Sequence, residues 1–228
     1  MQDFELELNE YKNLLFNSDC GNIGREYLIK RNISKKTALY WELGYCPIGY
    51  VPSIYKNESF PFWQKLWGRV VIPVRNQHGE LVTLSGRLVE EVKEREKNPK
   101  YDHYQFNSRQ NLFGIYQNQS NIFINNKAVI TEGQLDVISS WQAGIKIITS
   151  SFGAHCSEQH FIMLNRFTKN IYIIYDNDAA GNKGATQAKN IGKNNNINVK
   201  IKNIFQDGID LDNWVQNHTC DQFFKLLD

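Results

Sequence analysis

Cysteine is scarce in this chain. Only Cys20, Cys46, Cys156 and Cys220 occur among 228 residues. No two of them form a Cys-x-x-Cys pair, which argues against a structural zinc site. Their wide scatter points to reduced, mostly packed thiols. Long apolar runs are also missing; the longest fall far short of the roughly 20 residues that span a bilayer. The N-terminus, Met1-Gln2-Asp3-Phe4-Glu5, is acidic and lacks the apolar core of a signal peptide, so a cytoplasmic protein is expected. There is no internal repeat. Net charge is only +2, and the apolar and charged fractions, 41% and 22%, are those of an ordinary globular protein. The length suits one large domain or two small ones.

The small net charge hides an asymmetry. Basic residues dominate Arg25 to Lys36 and recur as Lys65, Arg69, Arg75, Arg87, Lys100 and Arg109. Acidic residues of interest lie later. A basic region beside an acidic site suits an enzyme acting on nucleic acid, although scattered Lys and Arg also fit plain solvated surface. Residues 2–16 carry Phe4, Leu8, Tyr11 and Leu15 at helical spacing. Gly24 to Arg31 reads as a second helix, and Ser34 as the N-cap of a third that ends near Gly44. Cys46 to Pro52 reads as a turn-rich connector, followed by a packing stretch of Phe60, Phe62, Trp63 and Trp67. Arg69 to Arg75, the turn Asn76 to Gly79, and Glu80 to Leu88 predict a β-hairpin, with Pro73 at an edge or bulge. Glu90 to Lys97 reads as a solvated loop, Pro99 to Asn107 as irregular, and Gln110 to Gln117 as a short helix.

From Asn125 the pattern becomes regular β/α alternation. Strands are expected at Lys127–Thr131, Lys146–Ser150, Asn170–Tyr175 and Asn198–Phe205. Helices are expected at Gln134–Ala143, Ser157–Phe167, Ala179–Ile191, Leu211–Asn217 and Cys220–Leu227. The expected fold is therefore α/β: a parallel sheet flanked by helices over 121–228, preceded by a smaller mixed α+β basic subdomain over 1–120.

Acidic residues follow three of these strands: Glu132; Asp176 and Asp178; and Asp210 and Asp212. Ligands of parallel sheets bind at the carboxyl ends of the strands. Carboxylates that converge there repel one another unless a hard cation lies between them, which predicts Mg²⁺, with Mn²⁺ as an alternative. Glu132 and Asp136 share a helical face, and Asp178 can N-cap the next helix. Either pair alone fits capping as well as metal binding; three acidic strand ends together favour the metal. Gly153 offers backbone N–H groups to a phosphate or simply forms a turn. His155 and His160 read as helix-start or core histidines, and Trp141 and Trp214 as core.

Thr131-Glu132-Gly133-Gln134-Leu135-Asp136, with the distant Asp176-Asn177-Asp178-Ala179-Ala180-Gly181, resembles the TOPRIM signature of bacterial-type primases, topoisomerases and some nucleases. Arg25 to Ser34, Leu43 to Pro47, Arg69 to Arg75, Leu84 to Leu88, Pro99-Lys100-Tyr101 and Asn111 to Tyr116 extend the resemblance to the RNA-polymerase domain of DnaG-type primases. It covers about residues 24–217. Asn177 departs from the usual Gly. Ser108 replaces a lysine, with Arg109 beside it, and the stretch from Tyr50 to Leu66 is shortened.

The resemblance implies synthesis of short RNA primers on single-stranded DNA from ribonucleoside triphosphates, in a bacterial or phage-infected cell. It implies Glu132, Asp176 and Asp178 as catalytic residues. The metal set would be Glu132, Asp136, Asp176, Asp178, Asp210 and Asp212, and the nucleotide or DNA contacts Arg69, Arg75, Arg87, Lys100 and Arg109. A replicative helicase and a zinc-binding module would lie on other chains or in further segments. A metal-dependent nuclease of the same superfamily, or a non-catalytic binder of single-stranded DNA or primer ends, are the alternatives.

Overall fold

Two sheets of opposite character organise the chain. The computed structural model describes residues 3–56, 62–93, 97–203 and 210–228. Its contacts define two units, Met1–Arg75 with Glu80–Phe106, and Asn76–Gly79 with Asn107–Asp228.

The first unit opens with α1 (Phe4–Asn17), α2 (Asn22–Lys30) and α3 (Lys35–Tyr40). Asp3 caps α1 by accepting the Leu6 N–H, and Ser34 caps α3 by accepting the Thr37 N–H at 3.2 Å. Arg25 donates to the Leu15 and Ser18 carbonyls at the end of α1, where a cation complements the helix dipole. Part of the basic run is thus structural. The antiparallel sheet has the order β1 (Gly44–Cys46), β2 (Arg69–Arg75), β3 (Leu81–Leu88), β4 (Tyr101–His103). The hairpin of β2 and β3 is the one expected from the two strands and the turn between them. Pro73 is tolerated because β1 pairs only with Arg69 to Val71, leaving the far half of β2 open on that side, just before a bulge at Val74 and Arg75. The sequence reading missed β1 and β4. Each has three residues, too few to show a period, and each exists by pairing with a neighbour. The charged loop after β3 is anchored: Tyr45 donates to Glu90, and Asn98 pairs with both backbone groups of buried Val92. Residues 94–96 of that loop lie outside the described residues.

Leu8, Tyr11, Cys46, Tyr55, Trp63, Leu66, Val71, Leu84 and Tyr104 form the core of this unit, with Phe62 and Trp67 partly buried against it. Phe60 lies outside the described residues. Glu7 is sealed inside this core at 0% exposure. Tyr11 and Tyr55 donate to it at 2.7 and 2.9 Å, and Tyr104 donates as well. Burial raises the Glu7 carboxyl above its ordinary value, and the tyrosine hydroxyls pull it back only in part.

The first α-helix of the second unit is α4 (Ile115–Asn125), which contains Ser120. The helix expected at Gln110–Gln117 starts later because Phe113 is engaged in a β-bridge with Ser150. Then come β5 (Ala128–Thr131), α5 (Gln134–Gln142), β6 (Ile148–Ser150), α6 (Glu158–Leu164), β7 (Asn170–Ile173), α7 (Ala179–Asn194), β8 (Asn198–Ile201), α8 (Leu211–Asn217) and α9 (Cys220–Leu227). All four strands are parallel, in the order β6-β5-β7-β8. The two central strands are covered on both faces, which explains their unbroken apolar runs. The strand read as Asn198–Phe205 ends at Ile201; its last two residues lie outside the described residues.

Candidate active site

The chain leaves β5 to build β6 on one side, then crosses to build β7 on the other. Crevices that bind ligands open at such a switch point, at the carboxyl ends of the strands. Glu132 follows β5, and Asp176 lies three residues past β7. The structure joins them: the Asp176 N–H donates to Glu132 Oε1 at 2.9 Å. The Glu132 backbone is gripped from the β6 side, its carbonyl accepting from Ser150 Oγ at 2.7 Å and from the Gly153 N–H at 3.0 Å. Gly153 therefore forms a turn that fixes Glu132. Phe152 beside it is held at φ 61°, a left-handed conformation that side chains rarely adopt. Gly181 permits the close approach of α7: a Cβ there would collide with the Asp176 carbonyl and lie 3.1 Å from Glu132 Oε1. Sequence reading passed over Ser150 and Gly181; only the Gly of the Asp-x-Asp-x-x-Gly spacing carried a signal.

Asp136 lies on the first turn of α5 and accepts the Gly133 N–H at 3.0 Å. Its carboxyl is pushed up to about 7, first by burial and then by the charges of Asp210, Asp176 and Asp212. Carboxylates from different segments therefore act on one another electrostatically. Asp178 caps α7, accepting the Gly181 N–H at 2.7 Å, and Asp210 caps α8, accepting the Asn213 N–H at 2.9 Å. The capping role open to Asp178 in the sequence is realised, and Asp210 takes the same role, each through Oδ1 alone; a carboxylate has about four lone-pair sites. Asp212 is different. It is 1% exposed and takes the hydroxyl hydrogen of Ser139 on α5. Its contacts tie α8 to α5, which does not fit an outward-facing ligand. Among the described residues no three of His, Cys, Asp and Glu form a ready metal-binding group. The donor set is nonetheless all carboxylate oxygen, and Asp136 feels the charges of Asp210, Asp176 and Asp212, which is the chemistry a hard cation fits.

The basic residues separate into two classes. Arg69 is fully buried and donates to the Gly86 and Pro99 carbonyls at 3.2 and 2.9 Å. Arg75 is clamped by Glu5 and Glu42 at 2.7 and 2.8 Å. Both expected ligand contacts are thus internal braces of the first unit. Lys100 and Arg109 are exposed, and Arg87 is half-buried. His160 is a core histidine at the start of α6. It bonds the Ser108 carbonyl through Nε2 at 2.9 Å, and burial holds it below its ordinary value. Trp214 is core, whereas Trp141 is half-buried with Lys146 over its ring.

Residues 129–215 match a family model described as Toprim-like. The chain is 26% identical over 239 residues to a DNA primase of Halalkalibacterium halodurans, covering 94% of this chain and 39% of that protein. A DNA primase of Rickettsia bellii is 28% identical, with 98% and 40% covered. The chain thus spans about two fifths of the length of the curated relatives it matches. Among solved structures, a DNA primase domain from Pseudomonas aeruginosa superposes with TM-score 0.84 at 24% identity, over 98% of this chain and 76% of that one. A DnaG primase catalytic domain bound to single-stranded DNA gives 0.81 at 22%, over 97% and 77%. The parallel and antiparallel sheets are those of the DnaG catalytic core. Residues 129–215 are thus Toprim-like, and nearly the whole chain is similar in sequence to DNA primases and shares the fold of the DnaG catalytic core.

Proposed function

We propose that this chain synthesises short RNA primers on single-stranded DNA by cation-dependent nucleotidyl transfer. The observation that carries the reading is the joined switch point, where Glu132 and Asp176 meet by a 2.9 Å hydrogen bond and Asp136 feels Asp176, Asp210 and Asp212. The similarity to primases along nearly the whole chain supports it.

Glu132, Asp136, Asp176, Asp178 and Asp210 would hold Mg²⁺ or Mn²⁺, which when bound polarises phosphoryl oxygens and neutralises charge on the triphosphate. The 3′-hydroxyl oxygen of one ribonucleotide bonds to the α-phosphorus of the next. The bond from that phosphorus to the bridging oxygen breaks, and pyrophosphate leaves. Glu132 takes the hydroxyl proton as general base, its position fixed by Ser150, Gly153 and the Asp176 N–H. Arg87, Lys100 and Arg109 bind phosphates of template or nucleotide by charge-assisted contacts. Such contacts give little sequence preference. A replicative helicase and a zinc-binding module are the expected partners, on other chains or in segments outside these residues. No helix among the described residues is long and apolar enough to cross a membrane. We place the activity in the cytoplasm of a bacterial or phage-infected cell.

One observation favours a second reading. Asp178 and Asp210 both serve as caps, and no ready three-ligand group exists among the described residues; a non-catalytic binder of single-stranded DNA would look the same. Incubation with single-stranded DNA, four ribonucleotides and Mg²⁺ or Mn²⁺ separates the cases. Short RNA supports the primase. Bound DNA without reaction supports the binder, and shortened DNA a nuclease; either result overturns the proposal.

A further inference from the structure

Arg87 has an arrangement that neither burial nor ordinary surface exposure explains. It lies in the first unit, directly across from Tyr101 in the pairing of β3 with β4. Its guanidinium carbon stands over the Tyr101 ring at 5.2 Å and over the Tyr27 ring of α2 at 5.8 Å. Tyr27 is itself fixed: Arg31 Nε donates to its hydroxyl at 3.2 Å, and the Arg31 guanidinium also lies over its ring, at 5.8 Å. Despite this enclosure, Arg87 Nε and Nη1 are sealed from solvent and meet no hydrogen-bond acceptor among the described residues. This differs from Arg75, whose guanidinium is matched by two carboxylates.

Cation–π contact offsets part of the cost of withdrawing a guanidinium from water, but it supplies no acceptor for N–H groups. Two tyrosines thus hold a charged planar fork in one place and leave its donors unmatched. The side chain as a whole is only half-buried, and an oxyanion that reaches its open side would suit the guanidinium fork. Base stacking is a poorer fit, because guanidinium groups already lie over both rings. We propose that Tyr27 and Tyr101 are positioning residues that hold Arg87 as a preset receptor for backbone phosphates of single-stranded DNA. The proposal rests on the reading of Arg87 as a nucleic-acid contact.

The test is binding of the full chain to fluorescein-labelled oligo(dT) and to an abasic strand of equal length, by anisotropy across a salt series. The variants are Arg87→Ala, Tyr27→Phe, Tyr27→Leu and Tyr101→Leu, plus the double variant Tyr27→Leu with Arg87→Ala. Thermal melting monitors the fold. Arg87→Ala is expected to weaken binding about tenfold and to reduce the salt slope by about 1. Tyr27→Leu and Tyr101→Leu, which keep bulk but lose the ring, should each reproduce a threefold or greater share of that loss, roughly, and the flatter slope. Tyr27→Phe should bind within about twofold of the parent, because the ring face is kept. The double variant should be no weaker than Arg87→Ala alone, and the losses should persist on the abasic strand. Leucine variants that bind like the parent while Arg87→Ala is weakened would overturn the positioning role alone. A loss that disappears on the abasic strand, or that adds fully to Arg87→Ala, would show that the rings touch DNA themselves and would also overturn it. An Arg87→Ala variant with parental affinity and slope would remove the underlying reading. Should a leucine variant melt early, the other tyrosine supplies the same comparison.

Discussion

The two units handle buried acid in opposite ways. In the first, Glu7 is fully enclosed, yet three tyrosine hydroxyls from α1, from residue 55 and from the segment after β4 converge on it. In the second, carboxylates from several segments take backbone N–H groups of nearby turns, and Asp136 is pushed up to about 7, first by burial and then by the charges of Asp210, Asp176 and Asp212. Satisfied hydrogen bonds make Glu7 a brace. The carboxylates at the carboxyl end of the parallel sheet form the proposed site instead. The position of a carboxylate does not distinguish these roles; the nature of its partners does.

Substitutions should separate the two groups. The largest effect is expected at the switch point. Asp176→Ala should lower ribonucleotide incorporation by about 10²–10³-fold, as loss of a transition-state charge stabiliser does. Its melting temperature should remain near that of the parent. A large drop in melting temperature instead would make Asp176 another brace. Glu7→Ala should do the reverse: it leaves three buried hydroxyls unmatched and costs about 3 kcal/mol in urea unfolding. Incorporation per folded molecule should stay close to parental.

Gly181→Ala comes next. Its Cβ meets the Asp176 backbone. Overpacking of this kind costs about 1–3 kcal/mol. It should also slow incorporation by displacing Asp176, which a kcat measurement on the folded variant will detect. The smallest effect is on pH dependence. The folded-state carboxyl of Glu7 is raised above 4.5. The stability this gives is fully present below that value and is lost as pH rises through the higher folded value. Urea unfolding of the parent should therefore weaken over that interval relative to Glu7→Gln. Parallel curves would show that Glu7 is not raised.

The second unit was largely legible because its signals are local. The apolar runs of β5 and β7, the helices between them and the acids directly after the strands sit close together in sequence. The first unit was less so. Tyr104 lies 97 residues from Glu7, and Arg69 and Arg75 stand at the two ends of an apolar strand, as exposed basic residues would. Their burial depends on Gly86, Pro99, Glu5 and Glu42, which come from other segments. The three-residue strands β1 and β4 have no period of their own. Asp212 misled for the same reason: its neighbour Ser139 lies 73 residues away. The acidic pattern points to the proposed site, but tertiary contacts decide which of its members are outward donors.

The most direct test is to count cations. Titration of Mn²⁺ into the full chain, followed by electron paramagnetic resonance, should show binding that Mg²⁺ displaces. The variant with Asp136→Asn, Asp176→Asn and Asp210→Asn should lose it while melting as the parent does. Equal Mn²⁺ uptake by the parent and that folded variant would contradict the claim that these carboxylates gather to hold a divalent ion.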